Sequence, residues 1–250
     1  MNDHEIIQQL RRFQRDVNRA ARRLGIEVRA VGPRGALRLF RDLISEGLKR
    51  SGETFACGAG CSYCCTQQVA VTAPEVFDIA DHLRSLPELE RQAIVEKLRK
   101  GAEAYARATY AIDVSLIACG LLGPGGVCTV YPVRPLRCVG FVSSTVEPCI
   151  EALADKLTLT QHTPASHNAA LLADATVKAI TDDNSKRVNT EYELNSAVLR
   201  ALPDPTAEAR WMAGEDVLRG ATPALPLASE DQAVVATLGQ QRIELKVKQR

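Results

Sequence analysis

Residues 57–65 read Cys57-Gly58-Ala59-Gly60-Cys61-Ser62-Tyr63-Cys64-Cys65 and hold half of the eight cysteines of this 250-residue chain. The other half are Cys119, Cys128, Cys138 and Cys149. Cysteines kept only as small apolar side chains would scatter along the helices, whereas soft-metal ligands must converge on one point in space. The clustering therefore predicts a cysteine-ligated metal centre, with all eight thiols as candidate ligands.

The number of thiols leaves three arrangements open. A closed zinc site takes four sulfurs, so eight thiolates are too many for one zinc ion. Two zinc sites, one [4Fe-4S] cluster with four spare cysteines, and a multinuclear centre with bridging thiolates all fit the count. Because Gly58 and Gly60 favour a loop, the first four thiols are expected to bind from a loop that opens into a turn. The side chains of the adjacent Cys64 and Cys65 are expected to point apart. One of the two would then serve a different ion or a different centre, or pack in the core.

Composition excludes several other classes of function. The chain has 31 Lys+Arg against 30 Asp+Glu, so no net field attracts nucleic acid or an anionic membrane. An aromatic content of 4% leaves few platforms for stacking bases. The charged N-terminus and the lack of a long apolar run predict no signal peptide and no membrane span. We expect a cytoplasmic protein, in which clustered cysteines indicate metal rather than disulfides.

Hydrophobic periodicity predicts a mainly α fold, a helical protein with a loop-rich, metal-stapled cysteine-cluster core. We predict an N-terminal helical annex over 1–50, the cysteine domain over 51–150, a helical region over 151–226 and a polar, disorder-prone tail over 227–250. In the annex, helices over 5–24 and 35–49 form a hairpin. The amphipathic helices that flank the cysteine domain are the expected surface for a protein partner.

Individual helices follow from capping and spacing. Thr72 and Glu75 form a capping box that begins a helix, and a second helix over 87–110 is expected to pack antiparallel to it. Glycines and prolines exclude long regular structure from 119–149. Further helices are predicted over 151–158, 166–181, 189–202 and 206–219. The only strand pattern predicts a minor hairpin between 69–71 and 127–131.

At the level of motifs, the chain resembles the YkgJ-type cysteine-cluster family, a bacterial group described as zinc- or iron-chelating. The matching pieces cover about residues 55–150, and they are Cys57–Cys65, Val71-Thr72, Glu75, Cys119, Gly126–Tyr131 and Arg134–Cys138. The resemblance implies zinc or iron held by the shared cysteines. Members often have arginine after the cysteine that corresponds to Cys138, where this chain has Val139. Arg134 or Arg137 would then have to balance the charge on the sulfurs.

A second resemblance opens an alternative function. The cysteine pattern is also similar to that of flagellin lysine methylases, where it is associated with an iron-sulfur cluster. This implies an iron-sulfur or non-heme iron enzyme of redox or group-transfer chemistry as the alternative to a metal-binding module. The spacing Cys57-x3-Cys61-x2-Cys64 also satisfies the radical S-adenosylmethionine pattern, but the strands that such a barrel requires are missing.

Other polar residues are weaker candidates. Tyr131 is expected to cover the site or to pack in the core. His162 and His167 follow the last cysteine and are minor candidates for ligation. His4 and His82 are expected on helix surfaces as non-ligands. The capping box accounts for Glu75 without a metal.

Overall fold

The computed structural model describes residues 3–109, 117–154, 163–182, 187–188 and 190–225. This part of the chain is mainly α, as predicted, with two short strands. Its helices are α1 (Asp3–Val31), α2 (Pro33–Arg50), α3 (Ala73–Ser85), α4 (Glu88–Tyr105), α5 (Leu136–Gly140), α6 (Glu147–Ala154), α7 (Pro164–Thr181), α8 (Leu194–Ala201) and α9 (Ala207–Met212). The strands are β1 (Ala70–Thr72) and β2 (Glu191–Glu193).

One hydrophobic core joins the N-terminal helices to α5 and α7. Gly32 separates α1 from α2 with a φ of 74°, and Pro33 begins α2. The predicted helices over 5–24 and 35–49 are therefore confirmed, each somewhat longer than expected. Both α1 and α2 pack against α7, and Leu37 of α2 and Leu136 of α5 are fully buried in this core.

A second hydrophobic core packs against Cys119 and Cys128 of the cysteine segment. It contains the apolar faces of α3, α4, α8 and α9, with Phe77 and Trp211 in edge-to-face contact at 5.7 Å between ring centroids. Thr72 is the N-cap of α3, and the predicted capping box with Glu75 is present. The expected antiparallel packing of α3 on α4 is not the main contact, because each helix packs against α8. The wide apolar face of α8 fills the space between them.

The strand prediction is half correct. A strand forms at Ala70–Thr72, but its antiparallel partner is Glu191–Glu193, not 127–131. Val71 pairs with Tyr192, and both side chains are buried. The sequence around 191–193 has a helical period, so periodicity alone predicts these residues as part of the helix over 189–202. That helix is in fact α8, which begins at Leu194.

Residues 119–149 are loop-rich, as predicted. They contain 3₁₀ turns at Pro124–Gly126 and Tyr131–Val133 and the short helices α5 and α6. The helix expected over 206–219 ends at Met212, and the one over 87–110 ends at Tyr105. The end of the helix over 151–158 and the tail over 227–250 lie outside the described residues. None of the described helices is both long and apolar enough to cross a membrane.

Candidate metal centre

The first four cysteines lie on a loop and a tight turn. Cys57 and Cys61 lie in irregular backbone, and Cys64 and Cys65 lie in the 3₁₀ turn Tyr63–Thr66. Gly60 takes a φ of 88°, which allows the loop to turn into this helix. The predicted loop geometry is confirmed.

Two backbone contacts fix this loop against the later cysteines. The N–H of Cys119 donates to the carbonyl oxygen of Cys65 at 2.6 Å. Gly126 takes a φ of 75°, and a Cβ atom there would stand 2.7 Å from the carbonyl oxygen of Gly60. The chain can approach itself this closely only because Gly126 has no side chain. The segments that carry the two halves of the cysteine set are therefore neighbours.

Cys57 and Cys149 meet at Ser143. The N–H of Ser143 donates to the Cys57 sulfur at 3.3 Å, and its carbonyl accepts from Ala56 N–H at 2.9 Å. Burial raises the pKa of the Cys149 thiol, and the neighbouring Ser143 side chain offsets a part of this increase. Helix α6, which carries Cys149, also packs against the Tyr63–Thr66 turn. Backbone donors of this kind disperse charge on a thiolate and orient it.

Cys119 and Cys128 are attached to the protein core. Both pack against the buried side chains around α3 and α8. Cys128 forms an isolated antiparallel bridge with Leu122, and Thr129 N–H donates to Leu121 O at 2.9 Å. Cys138 lies on α5, between the buried Leu136 and Val139. Cys119 and Cys128 therefore lie in loop backbone packed against a core and Cys138 lies on a helix, whereas Cys57 and Cys61 lie on a loop.

Cys64 lies close to five other thiols, those of Cys57, Cys119, Cys128, Cys138 and Cys149. Burial is the main cause of their raised pKa, and a negative charge on Cys64 would raise the pKa of each further. Its own pKa is raised above its ordinary value, first by a hydrogen bond with the Cys65 side chain and then by desolvation. The adjacent thiols of Cys64 and Cys65 therefore interact within the tight turn, and the expectation that they serve different centres stays a prediction.

Desolvation keeps these thiols protonated when no metal is present. It is the largest cause of the raised pKa of Cys57, Cys128, Cys138 and Cys149, and it raises the pKa of Cys119 to about 11. Since a soft metal binds the thiolate, binding must displace protons. All eight cysteines are free and partly exposed, so no disulfide competes for them.

Arg134 is the cation that faces the sulfurs. Its charge lowers the pKa of Cys57, Cys64, Cys128 and Cys138, against the larger effects that raise them. Arg41 of α2 donates from Nε to the carbonyl oxygen of Arg134 at 3.0 Å. The backbone of Arg134 is therefore held by the buried Arg41. Its guanidinium charge stabilises the ionised form of the nearby thiols.

The second predicted arginine has a different role. Arg137 forms ion pairs with Asp174 at 2.8 Å and with Glu191 at 2.6 Å, which tie α5 to α7 and β2. Tyr131 is 51% exposed, and the Arg134 guanidinium lies 4.4 Å from its ring centroid. The expected packing of Tyr131 in the core is wrong, because the turn at Tyr131–Val133 directs its ring outward.

The described side chains of the other candidates have partners other than the thiols. His82 Nε2 donates to Thr129 O at 3.1 Å, and His167 is exposed with its ring against Phe13. His162 and the His4 side chain lie outside the described part of the chain. Glu75 accepts from the N–H and hydroxyl of Thr72, both at 2.8 Å, as a capping residue does.

In the described residues, no three histidine, cysteine, aspartate or glutamate side chains stand together as a ready-made coordination group. The cysteines are near enough to influence one another's pKa but are not closed around a point. Their chemistry still fits zinc or iron, because a set of soft sulfur donors on adjacent loops can be drawn together when the ion binds. Beside Cys119 lies a cavity of only about 10 Å³, which is room for water.

Comparison with known families agrees with this donor set. Residues 56–163 match a family model described as "CxxCxxCC: Putative zinc- or iron-chelating domain". The matched range includes all eight cysteines and confirms the resemblance to a cysteine-cluster family. It supports binding of zinc or iron by this segment, and it leaves α1, α2 and the helices from α7 onward outside the match. No curated protein and no solved structure matches the chain.

Sequence reasoning missed three residues that shape the site. Ser143 contacts both Cys57 and Cys149, Arg41 holds the Arg134 carbonyl, and Asn195 Oδ1 accepts from the N–H of Gly120 at 3.3 Å, beside Cys119. The contacts join residues that are 86, 93 and 75 positions apart, namely Ser143 with Cys57, Arg41 with Arg134, and Asn195 with Gly120. No local pattern marks such contacts, so they could be found only from the fold.

Proposed function

We propose that this protein binds zinc or iron through its clustered cysteines, with the metal serving structure, storage or handover. The observation that carries the proposal is the position of Cys64, which lies close enough to five thiols from distant parts of the chain for a negative charge on it to raise the pKa of each. Thiols that served only as core filling would have no reason to meet around one sulfur.

The neighbours of Cys64 fall into two sets. The peripheral set is Cys57, Cys61 and Cys149, in which the charges of Cys57 and Cys61 raise the pKa of Cys149. The core set is Cys119, Cys128 and Cys138, in which the charges of Cys119 and Cys128 raise the pKa of Cys138. Each set has three thiols, and one thiol from the Cys64–Cys65 pair would complete it to four sulfurs. We propose two metal ions that share this turn, or one multinuclear cluster with Cys64 as a bridge.

An enzyme built on an iron-sulfur or non-heme iron centre is the alternative. It requires an open coordination position beside a cleft that admits a substrate. The cavity beside Cys119 holds about 10 Å³, which is far below the volume of such a site. This favours the binding module. A reducing compartment such as the cytoplasm is the proposed location, since all eight thiols are free.

The test is the metal and acid-labile sulfide content of protein purified without oxygen, with its visible absorption spectrum. Zinc at one or two ions per chain without colour or sulfide supports two closed thiolate sites. Iron with equal sulfide supports a cluster and makes redox chemistry the next question. Protein that binds neither metal after reconstitution under reducing conditions contradicts the proposal.

Cys61→Ser separates ligation from general packing. We expect lower metal content and a lower melting temperature, because one sulfur donor is lost. The matched control is Ser62→Ala in the same loop, which removes no sulfur and should change neither. If the Cys61 variant keeps the wild-type metal content and melting temperature, Cys61 is not a ligand.

A further inference from the structure

An open cleft of about 390 Å³ lies between α2 and α3, on the side of the Tyr131–Val133 turn. No cysteine lines it. Three arginines of α2 do, namely Arg34, Arg38 and Arg41. The volume lies in the range of small-molecule sites, and most of the charged side chains that line the cleft already have ionic partners.

Arg34 is fully engaged. Its guanidinium donates to Asp78 at 2.7 Å, to Asp81 at 2.8 Å and to Glu208 of α9. Arg41 Nη1 donates to the second carboxylate oxygen of Asp78 at 2.7 Å. Asp81 also pairs with Arg84. Two of the aspartates in the cleft are therefore neutralised by protein cations.

Two guanidinium groups keep donors without an acceptor. Arg41 is 7% exposed, and its buried Nη2 has no hydrogen-bond partner. Arg38 is exposed, one turn before it on α2, and makes no ion pair with any described residue. A buried donor without a partner is destabilising, so such a group commonly has an acceptor supplied by ordered water or by a bound ligand.

We propose that this cleft binds a small oxyanion, a carboxylate or a phosphate group, through Arg38 and the Nη2 of Arg41. Guanidinium groups match both anions in geometry and charge. Asp42 also lines the cleft and makes no ion pair with any described residue. Its negative charge disfavours polyphosphates and favours a ligand with a single oxyanion, all the more when an amine accompanies it.

The cleft is joined to the cysteine segment by two hydrogen bonds. Arg41 Nε donates to Arg134 O at 3.0 Å, and His82 Nε2 donates to Thr129 O at 3.1 Å. Thr129 follows Cys128, and Arg134 is the cation that faces the thiols. A bound oxyanion would therefore contact the residues that hold this stretch of backbone in place.

The experiment is isothermal titration of the full-length, metal-free, reduced protein with inorganic phosphate, acetate and glycine at constant ionic strength. Binding is measured without metal, so its failure does not bear on the proposed metal centre. We expect saturable binding of at least one of the three probes. Tighter binding of phosphate assigns a phosphate group, and tighter binding of acetate or glycine assigns a carboxylate, with glycine above acetate if Asp42 contacts the amine.

Two variants test the location. Arg38→Gln should weaken binding about tenfold, and because Arg38 is exposed the variant should fold normally. The control is Arg22→Gln, which removes an exposed arginine from α1 and should leave binding unchanged. No saturable binding of any probe, or equal binding by the Arg38 variant, overturns the proposal and leaves water as the occupant. An equal loss in both variants also overturns it, because it would show non-specific attraction.

Discussion

Glu75 Oε1 accepts a hydrogen bond from the backbone N–H of Leu136 at 2.9 Å, which ties the start of α3 to the start of α5. The Glu75 side chain is fully buried, and its second oxygen accepts both donors of Thr72. Leu136 lies two residues before Cys138. One carboxylate thus caps a helix of one core and positions a candidate metal ligand.

Glu75→Gln is expected to lower the free energy of unfolding by about 1–3 kcal/mol, because an amide NH₂ would face donors that now meet an oxygen. Urea denaturation of the metal-free protein measures this. Glu90→Gln, at an exposed position of α4, is the control and should change stability little. Equal stability of the two variants would show that the buried carboxylate is replaceable.

Arg134→Gln should weaken metal binding at neutral pH. The Arg134 charge lowers the pKa of Cys57, Cys64, Cys128 and Cys138, so its loss leaves these thiols harder to deprotonate. We expect the affinity for zinc to fall about tenfold, which is the size of effect that the loss of one attraction between a cation and a thiolate near the protein surface produces. Competition with a chromophoric zinc chelator, repeated at several pH values, measures it.

The Arg134 prediction also specifies a pattern. The deficit should shrink as the pH rises, because the thiols then ionise without help. Arg134→Lys keeps the charge and should retain most of the affinity, while Arg22→Gln on α1 should have no effect. A deficit in the Gln variant that is the same at every pH would point to lost packing instead of lost charge.

The metal-free protein should lose stability in alkaline solution. The pKa of Cys119 is about 11 in the folded chain against an ordinary value of 9.0, so the unfolded chain releases this proton first. The stability that this thiol contributes is complete below pH 9 and is lost as the pH rises through 11. Thermal unfolding of the reduced protein across this window tests the sign, and Cys119→Ala should show a smaller decrease. A larger decrease in that variant would assign the effect to other groups, such as Tyr192, whose pKa is raised to about 12.

The sequence predicted local features of the fold better than the contacts between distant segments. The capping box at Thr72 and the loop around Gly60 depend on neighbouring residues, and both predictions are confirmed. The pairing of β1 with β2 joins residues that are 119 to 123 positions apart, and no local pattern specifies that register. The role of Arg137 was unpredictable for the same reason, since its partners Asp174 and Glu191 lie on later elements.

Gly126→Ala should disturb the cysteine loops. A Cβ atom at this position would lie 2.7 Å from Gly60 O, and the φ of 75° is unfavourable for alanine. The two loops would have to separate, so we expect a loss of about 1–3 kcal/mol in stability and weaker metal binding. Gly58→Ala is the matched control, because a Cβ atom there meets nothing within 4 Å. Similar metal binding by both variants would show that the loops need not touch for the thiols to converge.

Cys128→Ser and Cys149→Ser should have different consequences if the two sets of thiols are distinct. Cys128 packs against the core, so its metal should support the fold, whereas Cys149 lies with the loop-borne Cys57 in the peripheral set. We expect Cys128→Ser to lower both metal content and melting temperature. Cys149→Ser should lose metal with a smaller decrease in melting temperature. In the wild type, a chelator should extract the metal of the peripheral set before the metal of the core set. Loss of all metal in both variants would instead indicate one cluster that needs both sets, with Cys64 as the shared sulfur.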